Sequence, residues 1–162
     1  MQATVDRRAA RVLLIAGRSV LLIRGVDPAR PDRGTWWHTP GGGIEDGETI
    51  ENAAVREVLE ETGHVMSLED IGPVVATRTA FFEFEDIEYR QQEWFFAVRV
   101  PAFDPGSDRW DEIERRSLLE HRWWTLDDLT STAEPVYPAE LAMVFRAVLD
   151  DTVEDPFVLS GR

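Results

Sequence analysis

The chain has 162 residues, 17 basic and 31 acidic, for a formal net charge of −14. Such acidity excludes the proteins that grip bare DNA or RNA through Lys and Arg and disfavours anionic membranes. Phosphate stays within reach only if divalent cations stand between it and the carboxylates.

In chain order, two β-branched-rich runs, Arg11 to Gly17 and Ser19 to Arg24, flank Gly17-Arg18 and predict a hairpin. Gly25 to Gly34 reads as a loop and Trp36 to Thr39 as a short strand. Pro40-Gly41-Gly42-Gly43 then breaks regular structure. Glu48 to Thr62 predicts a helix, with Thr49 as N-cap and Gly63 at its C-terminal stop. Val74 to Phe84 and Tyr89 to Val100 predict a second hairpin around Glu85-Asp86, and Pro101 to Asp111 a loop. Ser117 to Trp124 reads as a strand and Leu126 to Leu129 as a helical turn. Pro138 opens a last helix, whose Leu141, Val144, Phe145, Val148 and Leu149 fall on one face. The acidic tail after Asp150 is expected to fray. These elements predict one α/β domain over residues 1–162, with a core from about 7 to 149 and a mixed sheet.

The apolar fraction is 43% and there is no cysteine, so the chain is globular, without a disulfide scaffold, Cys-ligated metal or thiol catalysis. No apolar run approaches the roughly 20 residues that span a bilayer. Met1 to Arg11 lacks a signal-peptide core, and a cytoplasmic location is expected. Every basic residue is Arg. Any phosphate contact therefore falls to planar guanidinium forks.

The chemistry concentrates between Gly42 and His64. Consecutive glycines let backbone approach a ligand. On a helix, Glu57, Glu60 and Glu61 share one face, at i, i+3 and i+4. Taken alone, that triad fits either a solvated acidic face, with Arg56 paired to Glu60, or a site for a hard divalent cation. The full spacing decides between them: Gly42, five residues, Glu48, seven residues, then Arg56-Glu57-Val58-x-Glu60-Glu61-x-Gly63. This pattern resembles the Nudix box, the hallmark of the Nudix hydrolase family. His64 departs from it, standing where the family usually has a bulky aliphatic, and it reads as a strand residue. The resemblance extends to Trp36 through Gly43 and to His121 through Leu129, so family-like sequence runs from about Arg7 to Leu149.

The resemblance implies a Nudix α/β/α sandwich with a mixed sheet between helices. It also implies cleavage of a diphosphate linkage in a nucleoside di- or triphosphate, or a related nucleoside-diphosphate-linked small molecule, by metal-activated water. The cofactor would be Mg²⁺, with Mn²⁺ as a substitute. Glu57, Glu60 and Glu61 would ligate it, with the Gly41 carbonyl as a further ligand. Glu48 and Arg56 would orient the site. Glu60 and Glu61 carry the catalysis in this reading. The general base comes from the box or from a later carboxylate, Glu120 first, then Glu112 and Glu114. Arg24, Arg33 and Arg78 are candidates for a phosphate, and Trp37 for a base, with Trp36, Phe82 and Tyr89 as further aromatic candidates. A homodimer is compatible with the family.

Two other readings stay open. One is a Nudix-like nucleotide sensor without turnover. The other is a hydrolase of capped or triphosphorylated RNA ends, suggested by seven Arg against three Asp in the first 33 residues. Neither the Pro of the ADP-ribose branch nor the Tyr of the dinucleoside polyphosphate branch is present; Thr79-Ala80 and Phe81-Phe82 stand there.

Overall fold

The runs on either side of Gly17-Arg18 pair as a hairpin in the computed structural model, which describes residues 3–161. In chain order the first elements are β1 (Val5–Ala16), β2 (Ser19–Val26), β3 (Thr35–His38), β4 (Gly41–Gly43) and α1 (Ile50–Thr62). Next come β5 (Val74–Phe84), β6 (Ile87–Arg99), α2 (Glu112–Ser117) and β7 (Leu118–Thr125). The chain ends with α3 (Leu126–Ser131), β8 (Val136–Tyr137), α4 (Leu141–Leu149) and β9 (Phe157–Leu159).

All the strands join one mixed sheet, in the order β8-β3-β2-β1-β6-β5-β9, with β4 also paired to β1 and β7 to β2. β1 is its spine. It runs parallel to β6 from Val5↔Tyr89 to Ile15↔Arg99. Its other edge meets β4 at Ala9↔Gly43 to Arg11↔Gly41, then β2 at Ile15↔Val20. Both faces of β1 and β2 are covered, which is why they read as continuous apolar runs. Ala10, Val12 and Leu14 pack against Ala53, Ala54 and Val58 of α1. Leu13, Ile15 and Leu22 pack with Trp124 and with Leu141, Val144 and Phe145 of α4. The fold is thus α/β, a curled mixed sheet between helices.

Local rules account for most boundaries. The Thr49 side chain accepts the Asn52 N–H at 3.0 Å and caps α1, and Gly63 ends it at φ 80°. Glu85 and Asp86 both take positive φ, as the tight β5–β6 turn requires. The structure corrects the sequence reading at several places. Gly41–Gly43 is a strand, because β1 extends back to Val5 and offers an edge to pair with. α2 was not anticipated. Pro138 precedes α4 rather than opening it, and the helix begins at Leu141. His64 lies outside any strand and stacks on Phe103, ring centroids 4.7 Å apart. The tail does not fray throughout: residues 157–159 add to β5 as a parallel strand and bury Leu159.

Candidate active site

Alternation along β1 builds the floor of the site. Arg7, Ala9, Arg11, Leu13 and Ile15 share a face. Leu13 and Ile15 belong to the core that α4 helps to form. Arg7 and Arg11 line an open cleft of about 920 Å³. In the β1–β6 ladder Arg7 stands opposite Gln91 and Ala9 opposite Glu93; in the β5–β6 ladder Arg78 stands opposite Glu93. Three adjacent strands therefore present Arg7, Arg11, Arg78, Gln91 and Glu93 to one cleft.

The glycine strand forms its edge. A Cβ on Gly41 would collide with the Ala10 carbonyl, and Gly41 adopts φ 142°. A Cβ on Gly42 would stand 2.7 Å from the Glu57 carboxyl carbon. The missing side chains thus let carboxylates of α1 come up to the strand. Glu57 and Glu61, one turn apart, are buried there, and Glu60 lines the cleft beside them.

The opposite wall is held by the end of α1. Trp110 Nε1 and His121 Nε2 both donate to the Glu61 carbonyl, at 2.9 and 2.7 Å, and the Gly106 N–H donates to the Thr62 carbonyl at 2.9 Å. The last carbonyls of a helix need such partners, and here they fasten the 101–111 segment and β7 to α1. α2 then begins with a capping box: Asp111 accepts the Glu114 N–H at 2.7 Å, and Glu114 accepts the Asp111 N–H at 3.0 Å. This places Glu114 against α1. One carboxylate oxygen from each of Glu57, Glu61 and Glu114 lies within 4.8 Å of the others.

The charge balance is unfavourable as it stands. Burial raises the Glu61 pKa well above the ordinary carboxylate value, and Glu57 raises it further. Burial also raises Glu57, against the pull of Arg56. Glu114 is pushed up to about 7, again chiefly by burial. Desolvated carboxylates packed together and short of positive charge are what a hard divalent cation with oxygen ligands compensates. The donor set therefore fits Mg²⁺ or Mn²⁺.

Arg56 braces this cluster. It donates to Glu48 through Nε and Nη2, both at 2.8 Å, to Glu57 at 2.8 Å and to the Gly43 carbonyl at 2.8 Å. Its hydrogen bonds are the main reason the Glu48 pKa falls to about 2. Arg33 and Arg78 also line the cleft. Arg33 is paired with Glu83 at 3.1 Å.

Other residues singled out by sequence stand elsewhere. Glu120, on β7, lies opposite Arg24 of β2. Its Oε1 is 3.0 Å from Arg24 Nε, but off the hydrogen-bonding angle, so the contact is an ion pair. Neither residue lines the cleft. Glu112 is exposed in the first turn of α2. Trp37 is buried in the core, edge-on to Trp124 at 5.1 Å. Its neighbour Trp36 faces the cleft instead, as strand alternation dictates. Phe82 and Tyr89 stack on each other at 5.3 Å and line the cleft. The Gly41 carbonyl, expected from the sequence as a further ligand, accepts Arg11 Nη1 at 3.0 Å.

Sequence reasoning missed Arg7, Arg11, Gln91 and Glu93. Polar residues stand side by side at 7–8 and 90–93, so no alternation marks the inward-facing ones, and only the pairing of β1, β6 and β5 brings them together.

A family model described as the NUDIX domain matches residues 5–146. The RNA pyrophosphohydrolase of Wolbachia sp. subsp. Brugia malayi (strain TRS) is 29% identical over 119 residues, 65% of this chain and 69% of that protein. The RNA pyrophosphohydrolase of Sphingopyxis alaskensis is 31% identical over 125 residues, 71% of this chain and 74% of that protein. The MutT protein of Methanosarcina mazei Go1 matches with a TM-score of 0.65 at 19% identity, covering 95% of this chain and 100% of that one, a likeness of fold. The chain belongs to the Nudix hydrolase family and is a hydrolase acting on phosphoric anhydride bonds.

Proposed function

We propose that this chain is a Mg²⁺-dependent pyrophosphohydrolase of a nucleoside di- or triphosphate, or of a related nucleoside-diphosphate-linked small molecule. The observation that carries this reading is the buried carboxylate cluster of Glu57, Glu61 and Glu114 at the edge of a cleft floored by arginines. When bound, Mg²⁺ (or Mn²⁺ in its place) supplies charge neutralisation at the phosphoryl oxygens and a lowered water pKa.

The chain's own residues do the rest. Glu57 and Glu61, with Glu60 beside them, hold the cation. Arg56 and Glu48 keep Glu57 in place. Water adds to a phosphorus of the diphosphate, and the bridging P–O bond breaks. Glu114 takes the proton that the water gives up, since its carboxylate is held beside those of Glu57 and Glu61 at the cleft. Arg78 and Arg7 bind phosphoryl oxygens on the floor. Trp36 and the Phe82–Tyr89 stack offer apolar faces to a base.

A second reading, hydrolysis at triphosphorylated RNA ends, is favoured by the names of the two curated relatives. Against it, Arg11, Arg24, Arg30 and Arg33 are each engaged in an ion pair, which removes much of the N-terminal positive charge.

The test is a product-resolved hydrolysis panel of nucleoside triphosphates, nucleotide sugars, ADP-ribose, dinucleoside polyphosphates and 5′-triphosphate RNA, with Mg²⁺ and with excess chelator. Labelled water identifies the phosphorus attacked. Turnover in chelator defeats the metal assignment. Tight binding of one compound with no hydrolysis of any establishes the sensor reading instead.

A further inference from the structure

Phosphoryl chemistry at the carboxylate cluster leaves one group on the cleft floor without a role. Glu93 is 1% exposed, as is Gln91 next to it on the same face. A carboxylate so buried costs several kcal/mol unless it is paired and hydrogen-bonded. Glu93 is fully engaged. Its Oε2 accepts Arg11 Nε at 3.1 Å and Gln91 Nε2 at 2.9 Å, and its Oε1 accepts Arg78 Nε. Its ordinary tendency to protonate on burial is outweighed by the two arginines, and its pKa is lowered.

Both arginines meet Glu93 through Nε, which leaves their terminal nitrogens free for other work. Those of Arg11 have an assignment: Nη1 donates to the Gly41 carbonyl at 3.0 Å, and the Gly41 N–H donates to Glu61 at 3.3 Å. A continuous chain of contacts therefore joins Gln91, Glu93, Arg11, Gly41 and Glu61. The terminal nitrogens of Arg78 make no hydrogen bond among the described residues, although its side chain is only 10% exposed and the residue lines the cleft. Arg7, Arg11 and Arg78 against the one carboxylate of Glu93 also leave the floor with a net positive charge.

We propose that Glu93 is a positioning residue: it holds Arg78 by Nε so that the terminal nitrogens meet a phosphoryl oxygen of the substrate. Glu93 itself touches no substrate. The inference rests on the pyrophosphohydrolase reading and deepens it, because it assigns the phosphate away from the carboxylate cluster to Arg78. A role confined to joining β1, β5 and β6 would not make the effects of Glu93 and Arg78 on substrate depend on each other.

The experiment compares Glu93→Gln, Arg78→Gln and the double variant with the full-length chain. It measures KM and kcat on the nucleoside triphosphate turned over best. It also measures, by calorimetry, the Kd of a nucleoside triphosphate analogue with methylene-bridged phosphates. Loss of a charge-assisted hydrogen bond predicts that each single variant raises KM and Kd by about 10- to 100-fold, with kcat within about threefold. The double variant then binds no worse than Arg78→Gln alone. KM and Kd unchanged in Glu93→Gln, or effects that multiply in the double variant, overturn the proposal. Should Glu93→Gln fail to fold, Arg78→Lys decides, since a lysine keeps the charge but cannot fork between Glu93 and a phosphate; wild-type affinity in that variant overturns it. If the wild type binds the analogue but hydrolyses nothing, the hydrolase reading falls and Glu93 is judged on Kd alone. If it neither binds nor hydrolyses, both readings fall.

Discussion

Glu114 and Glu120 are close in sequence and chemically alike, yet only Glu114 meets the carboxylates of α1. The difference lies in their anchors. Glu114 is fixed by its capping box with Asp111, on a segment that Trp110 and His121 fasten to the Glu61 carbonyl. Glu120 points from β7 to Arg24, where the two charges satisfy each other. Glu114→Gln is expected to lower kcat by at least about 10²-fold and Glu120→Gln by less than about threefold, the contrast between an essential proton acceptor and a surface pair. Steady-state kinetics at saturating Mg²⁺ checks both. The raised carboxylates also predict a pH dependence. The folded chain holds protons on Glu114 up to about pH 7, whereas the free carboxylate lets go near 4.5. The folded state thus binds more protons across that window. The stability this contributes is fully present below about pH 4.5 and lost as pH rises through 7. With chelator present, the Tm is expected to fall by roughly 2–4 °C between pH 5 and pH 8, Glu114 being only partly buried. Mg²⁺ should restore it, and Glu114→Gln should flatten the fall. A Tm that rises over this range in chelator contradicts the assignment.

At the scale of elements, legibility in the sequence followed how local the cause was. α1 was readable because Thr49, its apolar spacing and Gly63 all act within its own length. The two long hairpins were readable because their turn residues sit between β-rich runs. β4 and β9, three residues each, were not: glycines and a short tail become strands only because β1 and β5 offer them an edge. The Asp111-x-x-Glu114 start of α2 is likewise a local signal. The box carboxylates were legible for the same reason as α1, while the floor arginines needed the register of three strands. The glycine strand makes a prediction of its own. In Gly42→Ala the nearest atoms to the new methyl are the far end of the Glu57 side chain, which can swing aside. The variant should fold with a Tm loss under about 3 °C and lose activity by at least about 10-fold, as a displaced ligand implies. In Gly41→Ala the methyl meets the backbone of Ala10 and Arg11 at a φ suited to glycine. That variant should lose more than about 2 kcal/mol of stability, measurable by urea unfolding. Equal Tm losses in the two variants would mean that β4 is not held against β1 as described.

For the molecule as a whole, the −14 is unevenly spread. Residues 45–61 contain seven acids and one Arg, and the cleft is lined by five arginines and ten carboxylates. Divalent cations at the cluster convert part of this acidity into affinity for phosphate at one place. They do nothing for a polyanionic strand outside the cleft, where much of the arginine charge is tied up: Arg24 with Glu120, Arg30 with Asp86, Arg90 with Asp6 and Arg116 with Glu85. Length beyond the first nucleotides should therefore add nothing. Given 5′-triphosphorylated RNAs of two and of ten nucleotides, the chain should show kcat/KM values within about threefold of each other. A strand-gripping surface with six phosphate contacts gives a log–log salt slope near −5 for duplex, and near −4 for single strands. For this chain the slope on the ten-nucleotide RNA should stay shallower than about −2, because only contacts inside the cleft displace counterions. A steep slope together with a strong gain from length would locate a basic strand-binding track outside the cleft, and would make the RNA end, rather than the free nucleotide, the substrate to which this surface is fitted.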